Sequence, residues 1–398
     1  MTNSPVSMLP KGCIKRIEGL CNRFLWSGNI EKLKGAKVSW EALCLPKEEG
    51  GLGLRRLLEW NKTLSMRLIW RLFAPKGSLW AHWHHHHHLR NRSFWSVEPA
   101  SNDPWTWKVL LGLRPLAQQF VTCKVGNGSK ASFWFDDWCS LGPLIATLGD
   151  YGSRYLRVPI NASVSCAYSS EGWRLPLSRS APAQLIHDHL STLPPPSTEL
   201  EDEDQYFWSV DGIDCQDFST ARTWDSLRPR KARRRWVASV WFKGAVPKYA
   251  FNMWVSHLNR LPTRSRLAAW GHIQSDSCVL CSYTAESRDH LLLVCDFSSQ
   301  VWRWVFDRLC THQLMFCSWS ELLSWTRSSS AEAPSLLRKL TAQVVVYNIW
   351  RQRNNLLHNL QRLAPALIFK FIDREIRNII TSRRHRARWR SLMLLWIR

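Results

Sequence analysis

The stretch CVLCSYTAESRDHLLLVC, Cys278 to Cys295, decides how the surrounding chain is read. Its spacing is C-x2-C-x8-H-x4-C, with Cys278, Cys281, His290 and Cys295 all inside 18 residues. A Cys-x-x-Cys pair turns two thiolates toward one ion, and a further imidazole and thiolate complete a tetrahedral shell. Four protein ligands leave no position for a reacting water, so the pattern points to structural zinc. Ordinary buried thiols and a redox dithiol are the competing readings of Cys-x-x-Cys alone. His257 and His272 lie near enough in sequence to be rival ligands, although a core or solvated role suits each better. Asp289 stands where it would cap a short helix presenting His290.

Outward from this module the pattern is helical. Apolar residues recur at intervals of three and four from Pro10 to Phe73, interrupted by LPKEEGGLGL, Leu45 to Leu54, a tight loop. Further helices are expected at 248–258, 263–270, 298–310, 335–359 and 365–382, the last with Ile368, Ile372, Ile376 and Ile379 on one face. CKVGNGSKASFWFDDWCSLGPL reads as a short hairpin turning at Gly126-Asn127-Gly128. A second hairpin turns at Asp211-Gly212, and Thr220 to Leu227 opens a helix. The expected fold is therefore mainly α with small β-hairpins, an α+β chain of helical segments around a small zinc-binding module.

Pro194 to Pro196 and the acidic run Glu199 to Asp204 look like a linker. They divide the chain into a helical segment 1–115, a Trp-rich connector 116–198, a zinc-containing domain 205–310 with its module at 245–302, and a helical basic tail 311–398. His84 to His88 are five consecutive histidines, which read as low-complexity drift on an exposed face, since adjacent residues cannot share one ion in a fixed geometry.

The charge balance narrows the partner. Lys and Arg number 54 against 31 Asp and Glu, a formal net charge of +23, which favours a polyanion over a neutral partner. Two runs concentrate that charge, RPRKARRR from Arg228 to Arg235 and RRHRARWR from Arg383 to Arg390. Arg228, Arg230, Lys231, Arg233, Arg234, Arg235, Arg383, Arg384, Arg386 and Arg388 are the candidate phosphate contacts, with Arg264 and Arg266 beside the zinc pair. The plainer alternative is a solvated charge face or a localisation signal. The 25 tryptophans suit either aromatic cores or stacking platforms for bases, and core packing is the commoner use.

The N-terminus has no apolar signal segment, and Cys13, Cys21, Cys44, Cys123, Cys139, Cys166 and Cys215 follow no disulfide framework. An intracellular protein, nuclear or cytoplasmic and not secreted, is expected. No window is apolar enough to span a membrane.

The run from Ala245 to Trp302 resembles the zinc-binding region downstream of the reverse transcriptase in plant LINE-type (non-LTR) retrotransposons. Pro247-Lys248, Leu261-Pro262-Thr263-Arg264, Trp270-Gly271, the four ligands, Glu286-Ser287 and Phe297-Ser298 carry the resemblance in order. CNRFLWSGN, VSWEALCLPKEEGGLGL and WNKTLSMRLIWRL resemble the segment closing the polymerase region, and IWRQRNNLLHN resembles the C-terminal helix of such elements. The resemblance implies a piece of a retroelement polyprotein that starts late in the polymerase.

FWFDDW, Phe133 to Trp138, superficially matches the aromatic-x-Asp-Asp turn that holds catalytic magnesium in polymerases. A two-metal site needs another carboxylate from an earlier strand, and none is evident upstream. The resemblance instead assigns Asp136 and Asp137 to the G-x-G-x-x-x-x-F-W-x-D-x-W unit after the polymerase, as turn residues capping backbone N–H groups. No nucleophile elbow or phosphate-binding loop appears. The expectation is a catalytically inactive fragment with structural zinc that binds RNA or DNA non-specifically, without membrane or small-molecule substrate and with protein partners unknown. The alternative is a zinc-stabilised interaction or scaffold protein, or a pseudogene product, with no nucleic-acid role.

Overall fold

The computed structural model describes residues 9–31, 35–74, 77–90, 92–169, 172–176, 180–194, 196–197, 202–311 and 315–397. Its compact units are two, one built from Met1–Cys21 and Arg55–Arg230, the other from Asn22–Leu54 and Lys231–Arg398. Their bounds do not coincide with those of the four expected segments. One boundary falls inside the helix Lys11–Ser27, and another inside the first basic run.

In the first unit, the helix Leu57–Phe73 buries Met66, Ile69, Trp70 and Leu72 and packs on the helix Thr220–Leu227. Ser219 starts the latter helix, its Oγ accepting from the Arg222 amide. A three-stranded antiparallel sheet runs in the order Val121–Lys124, Gln205–Val210, Ile213–Cys215. The last two strands form the expected hairpin, and Asp211 and Gly212 take φ of 52° and 76°. Positive φ at both central residues is what a tight hairpin turn requires. Trp208 anchors the sheet, wholly buried, with Phe120 stacked at 5.2 Å and its Nε1 donating to Thr223 Oγ1 at 2.8 Å.

The other expected hairpin does not form. Val121–Lys124 pairs with Gln205–Val210, Val121 opposite Trp208, and not with a strand following Gly128. The loop after it is organised by a distant carboxylate: Asp204 Oδ1 accepts from the amides of Gly126 and Gly128, each at 2.8 Å. Its Oδ2 accepts from the amides of Lys130 at 2.8 Å and Ala131 at 2.9 Å. A Cβ on Gly126 would stand 2.2 Å from the Asp202 carbonyl oxygen, so glycine is required there. Of the supposed linker, Pro195 and residues 199–201 lie outside the described residues, while Asp204 at its end is buried. Sequence reading missed this because the partners are more than 70 residues apart.

The histidine run is likewise not uniformly exposed. His84 is buried and stacks on Trp107 at 4.7 Å, His88 stacks on the same indole at 4.7 Å, and His85 Nε2 lies 2.8 Å from the Leu72 carbonyl oxygen. His85, His86 and His87 do face solvent. Burial holds His84 down to about 4, assisted by the neighbouring His88 and His85.

The second unit is helical throughout its core. The helix Ser335–Asn359 is buried on most sides, including Leu337, Leu340, Val344, Val345 and Ile349. It packs against the helices Pro247–His257, Trp319–Arg327 and Pro365–Ser382. A helix buried on most sides is a core helix, and its buried polar side chains Gln343, Asn348 and Arg353 are hydrogen-bonded. Ile368, Ile372, Ile376 and Ile379 are all buried, as their spacing predicts. Each such side chain contributes about 1.5–3 kcal/mol by leaving water. The glycine loop is equally specific: Gly50 adopts φ of +100°, its carbonyl oxygen accepts from Trp254 Nε1 at 2.8 Å, and a Cβ on Gly51 would meet the Leu45 carbonyl oxygen at 2.1 Å. The chain is thus mainly helical with small sheets.

Candidate zinc centre

The four predicted ligands come together in the second unit. Sγ of Cys278, Cys281 and Cys295 and a ring nitrogen of His290 all lie within 4.8 Å of one another. Cys278 and Cys295 are buried, their sulfurs 4.0 Å apart, and Cys281 Sγ is 3.3 Å from His290 Nε2. Tetrahedral zinc, with bonds of about 2.3 Å to sulfur and about 2.0 Å to nitrogen, sets neighbouring ligand atoms about 3.5–3.8 Å apart. The observed spacings bracket that range, so the donor set fits zinc and fills its shell.

Local chain geometry explains the convergence. Cys278 begins a tight turn in which the Ser282 amide donates to the Cys278 carbonyl at 2.7 Å, with Ser282 in the left-handed region at φ 69°. Across the turn the Cys278 amide donates to the Thr284 carbonyl at 2.8 Å. On the far side, the Cys295 amide donates to the His290 carbonyl at 2.7 Å, closing a wide π-type turn. That wide turn sets His290 and Cys295 side by side where a regular helix would turn one away. Ser287, not Asp289, caps the segment: its Oγ accepts from the His290 amide at 3.1 Å. Asp289 is engaged elsewhere, accepting from Arg288 Nε at 2.6 Å and from the Trp319 amide at 3.1 Å.

Electrostatics favour a metal-ready thiolate. Hydrogen bonding with Cys295 pulls the Cys278 thiol down to about 5 against the opposing effect of burial, helped by the amides of Cys281 and Leu280 and by His290. The same bond, with burial, pushes Cys295 up. One proton shared unequally leaves Cys278 as the anionic partner. Neither rival histidine joins this cluster. His257 is half-buried, its ring 4.0 Å from that of Trp236 and tilted by 33°, with Trp319 Nε1 donating to its Nδ1 at 3.1 Å, while His272 is exposed.

Two residues to which sequence reading gave no role tie the centre together. Glu286 is fully buried, its Oε1 accepting from the Arg264 amide at 2.9 Å and from Arg353 Nη2 at 2.7 Å. Arg353 belongs to the central helix and is itself 2% exposed. Both lie in motifs already quoted, Glu286-Ser287 and IWRQRNNLLHN; only an opposite-charge pairing across 67 residues was hidden.

The basic candidates separate into groups. In the first unit Arg228 pairs with Asp225 at 2.6 Å, and Arg230 with Asp211 at 2.9 Å. In the second, Arg233 meets Glu48 at 3.1 Å, the Lys231 amide donates to Glu49 Oε2 at 3.0 Å, and Arg234 and Arg235 are exposed. Arg264 Nη2 donates to the Ser275 carbonyl at 2.9 Å, and Arg266 lies over the Trp270 ring at 4.8 Å. Arg383 lies over Trp389 at 5.4 Å, and Arg384, Arg386 and Arg388 are exposed. Among the described residues, none of the arginines from Arg383 to Arg388 has a carboxylate partner.

Asp136 of the Asp-Asp pair is a buried acceptor. It takes hydrogen bonds from Trp95 Nε1 at 2.8 Å, the Ser132 amide at 2.7 Å and Tyr206 Oη at 2.8 Å. Burial raises its pKa above the usual carboxylate range, and these donors oppose the rise.

Comparison with known proteins agrees with this geometry. A family described as zinc-binding in reverse transcriptase matches residues 218–302. An Arabidopsis thaliana protein named "Putative ribonuclease H protein" is 35% identical over 143 residues, which is 35% of this chain and 23% of that relative. An "Uncharacterized mitochondrial protein" of the same plant is 25% identical over 131 residues, 33% of this chain and 85% of the relative. The chain thus spans less than a quarter of the first relative's length. No solved structure matches. Among the described residues no helix is long and apolar enough to cross a membrane. Over residues 218–302 the chain is similar to the zinc-binding family of reverse transcriptases, and Cys278, Cys281, His290 and Cys295 are the side chains suited to that zinc.

Proposed function

We propose that this chain is retroelement-derived, of the LINE type, and that it binds single-stranded RNA or DNA without sequence preference and without catalysing a reaction of its own. The zinc holds the fold of the second unit, and the arginines supply phosphate contacts. One observation carries the reading: in a chain that holds a zinc module of reverse-transcriptase type, Arg383, Arg384, Arg386 and Arg388 have no carboxylate partner among the described residues. Cations left unpaired in a chain of net charge +23 are available to a polyanion.

Non-catalysis is supported by how the acidic residues of the first unit are used. Both Asp136 oxygens and both Asp204 oxygens are occupied by protein donors. Carboxylates so engaged are poor magnesium ligands. Action inside the cell, in nucleus or cytoplasm, follows from the same partner.

The test is equilibrium binding of the full chain to labelled single-stranded RNA and DNA oligonucleotides. With four or so phosphates neutralised, affinity falls on the order of tens of fold between 50 and 200 mM salt. Affinity that does not change with salt overturns the binding reading. Template-dependent primer extension with magnesium, abolished by Asp137→Ala, overturns the non-catalytic one.

A further inference from the structure

The second unit holds a concave site of ≈ 790 Å³ beside the start of the Ser335–Asn359 helix, lined in part by the segment His385–Trp389. Its walls are apolar where Phe242, Leu336 and Trp389 contribute, and Lys243, Lys339, Arg386 and Arg388 stand around them. Trp389 is 2% exposed and fixed in place: Gly244, at φ +95°, lies so close that a Cβ there would come 2.6 Å from the indole.

Four cations in one concavity repel one another, and none has a carboxylate partner among the described residues. Lys339 is half-buried, and burial together with Arg327 lowers its pKa. The helix behind it runs for 25 residues and begins after Pro334, its Ser335 amide donating to Ser329 Oγ at 3.3 Å, and its positive end adds to the same field. An anion seated here would offset that repulsion. The apolar walls distinguish the site from one for a bare inorganic anion, since a flat heterocycle attached to a phosphate satisfies both halves.

We infer that this cavity takes one nucleotide of a single-stranded nucleic acid, its base against the apolar wall and its phosphates on Lys243, Lys339, Arg386 and Arg388. The inference rests on the nucleic-acid reading above and gives it a location. Lys243 and Lys339 come from outside both basic runs and are brought to Arg386 and Arg388 only by the fold.

The experiment uses the full zinc-loaded chain and a fluorescein-labelled single-stranded RNA of about ten nucleotides. The triple variant Lys243→Gln, Lys339→Gln, Arg386→Gln is compared with a control of equal charge loss, Arg233→Gln, Arg234→Gln, Arg235→Gln. The pocket variant is expected to lose about tenfold or more in affinity and about 2 from the salt slope, since each single-strand phosphate contact contributes about 0.7. The control loses markedly less. Zinc content and circular dichroism establish folding, and Lys243→Gln with Arg388→Gln, both exposed, replaces the triple variant should it fail to fold. Wild type that binds while pocket and control variants lose equally, or not at all, overturns the cavity and leaves the general binding reading standing. Wild type that fails to bind at 50 mM salt overturns both. Inorganic phosphate that displaces the RNA as well as a mononucleotide does at equal concentration overturns the role of the apolar wall, and with it the nucleotide assignment.

Discussion

Arg353 closes on a single oxygen of Glu286, its Nε at 3.0 Å and its Nη2 at 2.7 Å, with both side chains almost wholly removed from solvent. The pair joins the central helix to the loop between the two halves of the zinc site. Arg353 also donates to the Pro262 carbonyl at 3.3 Å and stacks on Trp350 at 4.9 Å. Removing one partner of a buried pair leaves a charge in a low-dielectric interior. Glu286→Leu and Arg353→Met are therefore each expected to cost about 3–5 kcal/mol, and the two combined to recover much of it. Urea unfolding of the three variants checks this; a double variant as unstable as the sum of both singles contradicts it.

Zinc removal has a defined outcome. The purified chain is expected to hold one zinc, and Cys281→Ser to lose it, because three remaining ligands bind far more weakly than four. Metal analysis reads the stoichiometry. Near-ultraviolet circular dichroism of the chelated protein is expected to collapse for tryptophans of the second unit, Trp302 above all, whose Nε1 donates to the Leu292 carbonyl at 2.9 Å between His290 and Cys295.

Acid sensitivity of the first unit is expected to come from His84. Its neighbours are Trp80, Trp83, Trp107, His85 and His88, the last 3.4 Å from Asp103. Folding lowers its pKa from 6.5 to about 4, so the unfolded chain binds the extra proton between those values. The stabilising contribution is full above about pH 6.5 and is lost as pH falls through about 4. An NMR titration of the His84 ring checks the value directly. A midpoint near 6.5 in the folded protein contradicts it, and His84→Phe is expected to flatten the acid limb.

Asp204→Ala leaves four amides without their acceptor at one point. Unsatisfied buried donors cost about 1–3 kcal/mol each when the chain cannot relax, so a loss of at least about 3 kcal/mol is expected. Thermal unfolding measures it. Asp202→Ala, two residues away, serves as the comparison, because it is the Asp202 backbone carbonyl that accepts from the Asn127 amide, at 2.7 Å.

Arg228→Gln and Arg230→Gln are expected to change nucleic-acid affinity by less than about twofold. Both guanidinium groups already face Asp225 or Asp211, and a phosphate would have to compete with those carboxylates. A loss matching that of the Arg386 variants contradicts the division of the two basic runs.

How far the sequence reaches can be judged residue by residue. Helices 335–359 and 365–382 were legible to the residue because their signals are local: apolar period, and proline at or beside the first turn. The ligand set was legible because all four residues fall within one short span. The Gly126 loop was not, since glycines announce a turn without saying which strand follows, and the answer was a carboxylate at Asp204. The acidic run misled for the same reason: its composition reads as linker while its last residue is buried. Asp289 misled as a cap because Ser287, two positions earlier, reaches the same amide.

The grip of Asp204 on the loop at Gly126 has a consequence for the integrity of the chain. Because the strand Gln205–Val210 lies beside Val121–Lys124 and the carboxylate before it clasps the loop, a single cut in the backbone joining these two strands would not separate the pieces. The nicked polypeptide should migrate as one particle in native gels and as two bands after denaturation. Two separately synthesised fragments meeting there should complement one another, in the manner of a split reporter.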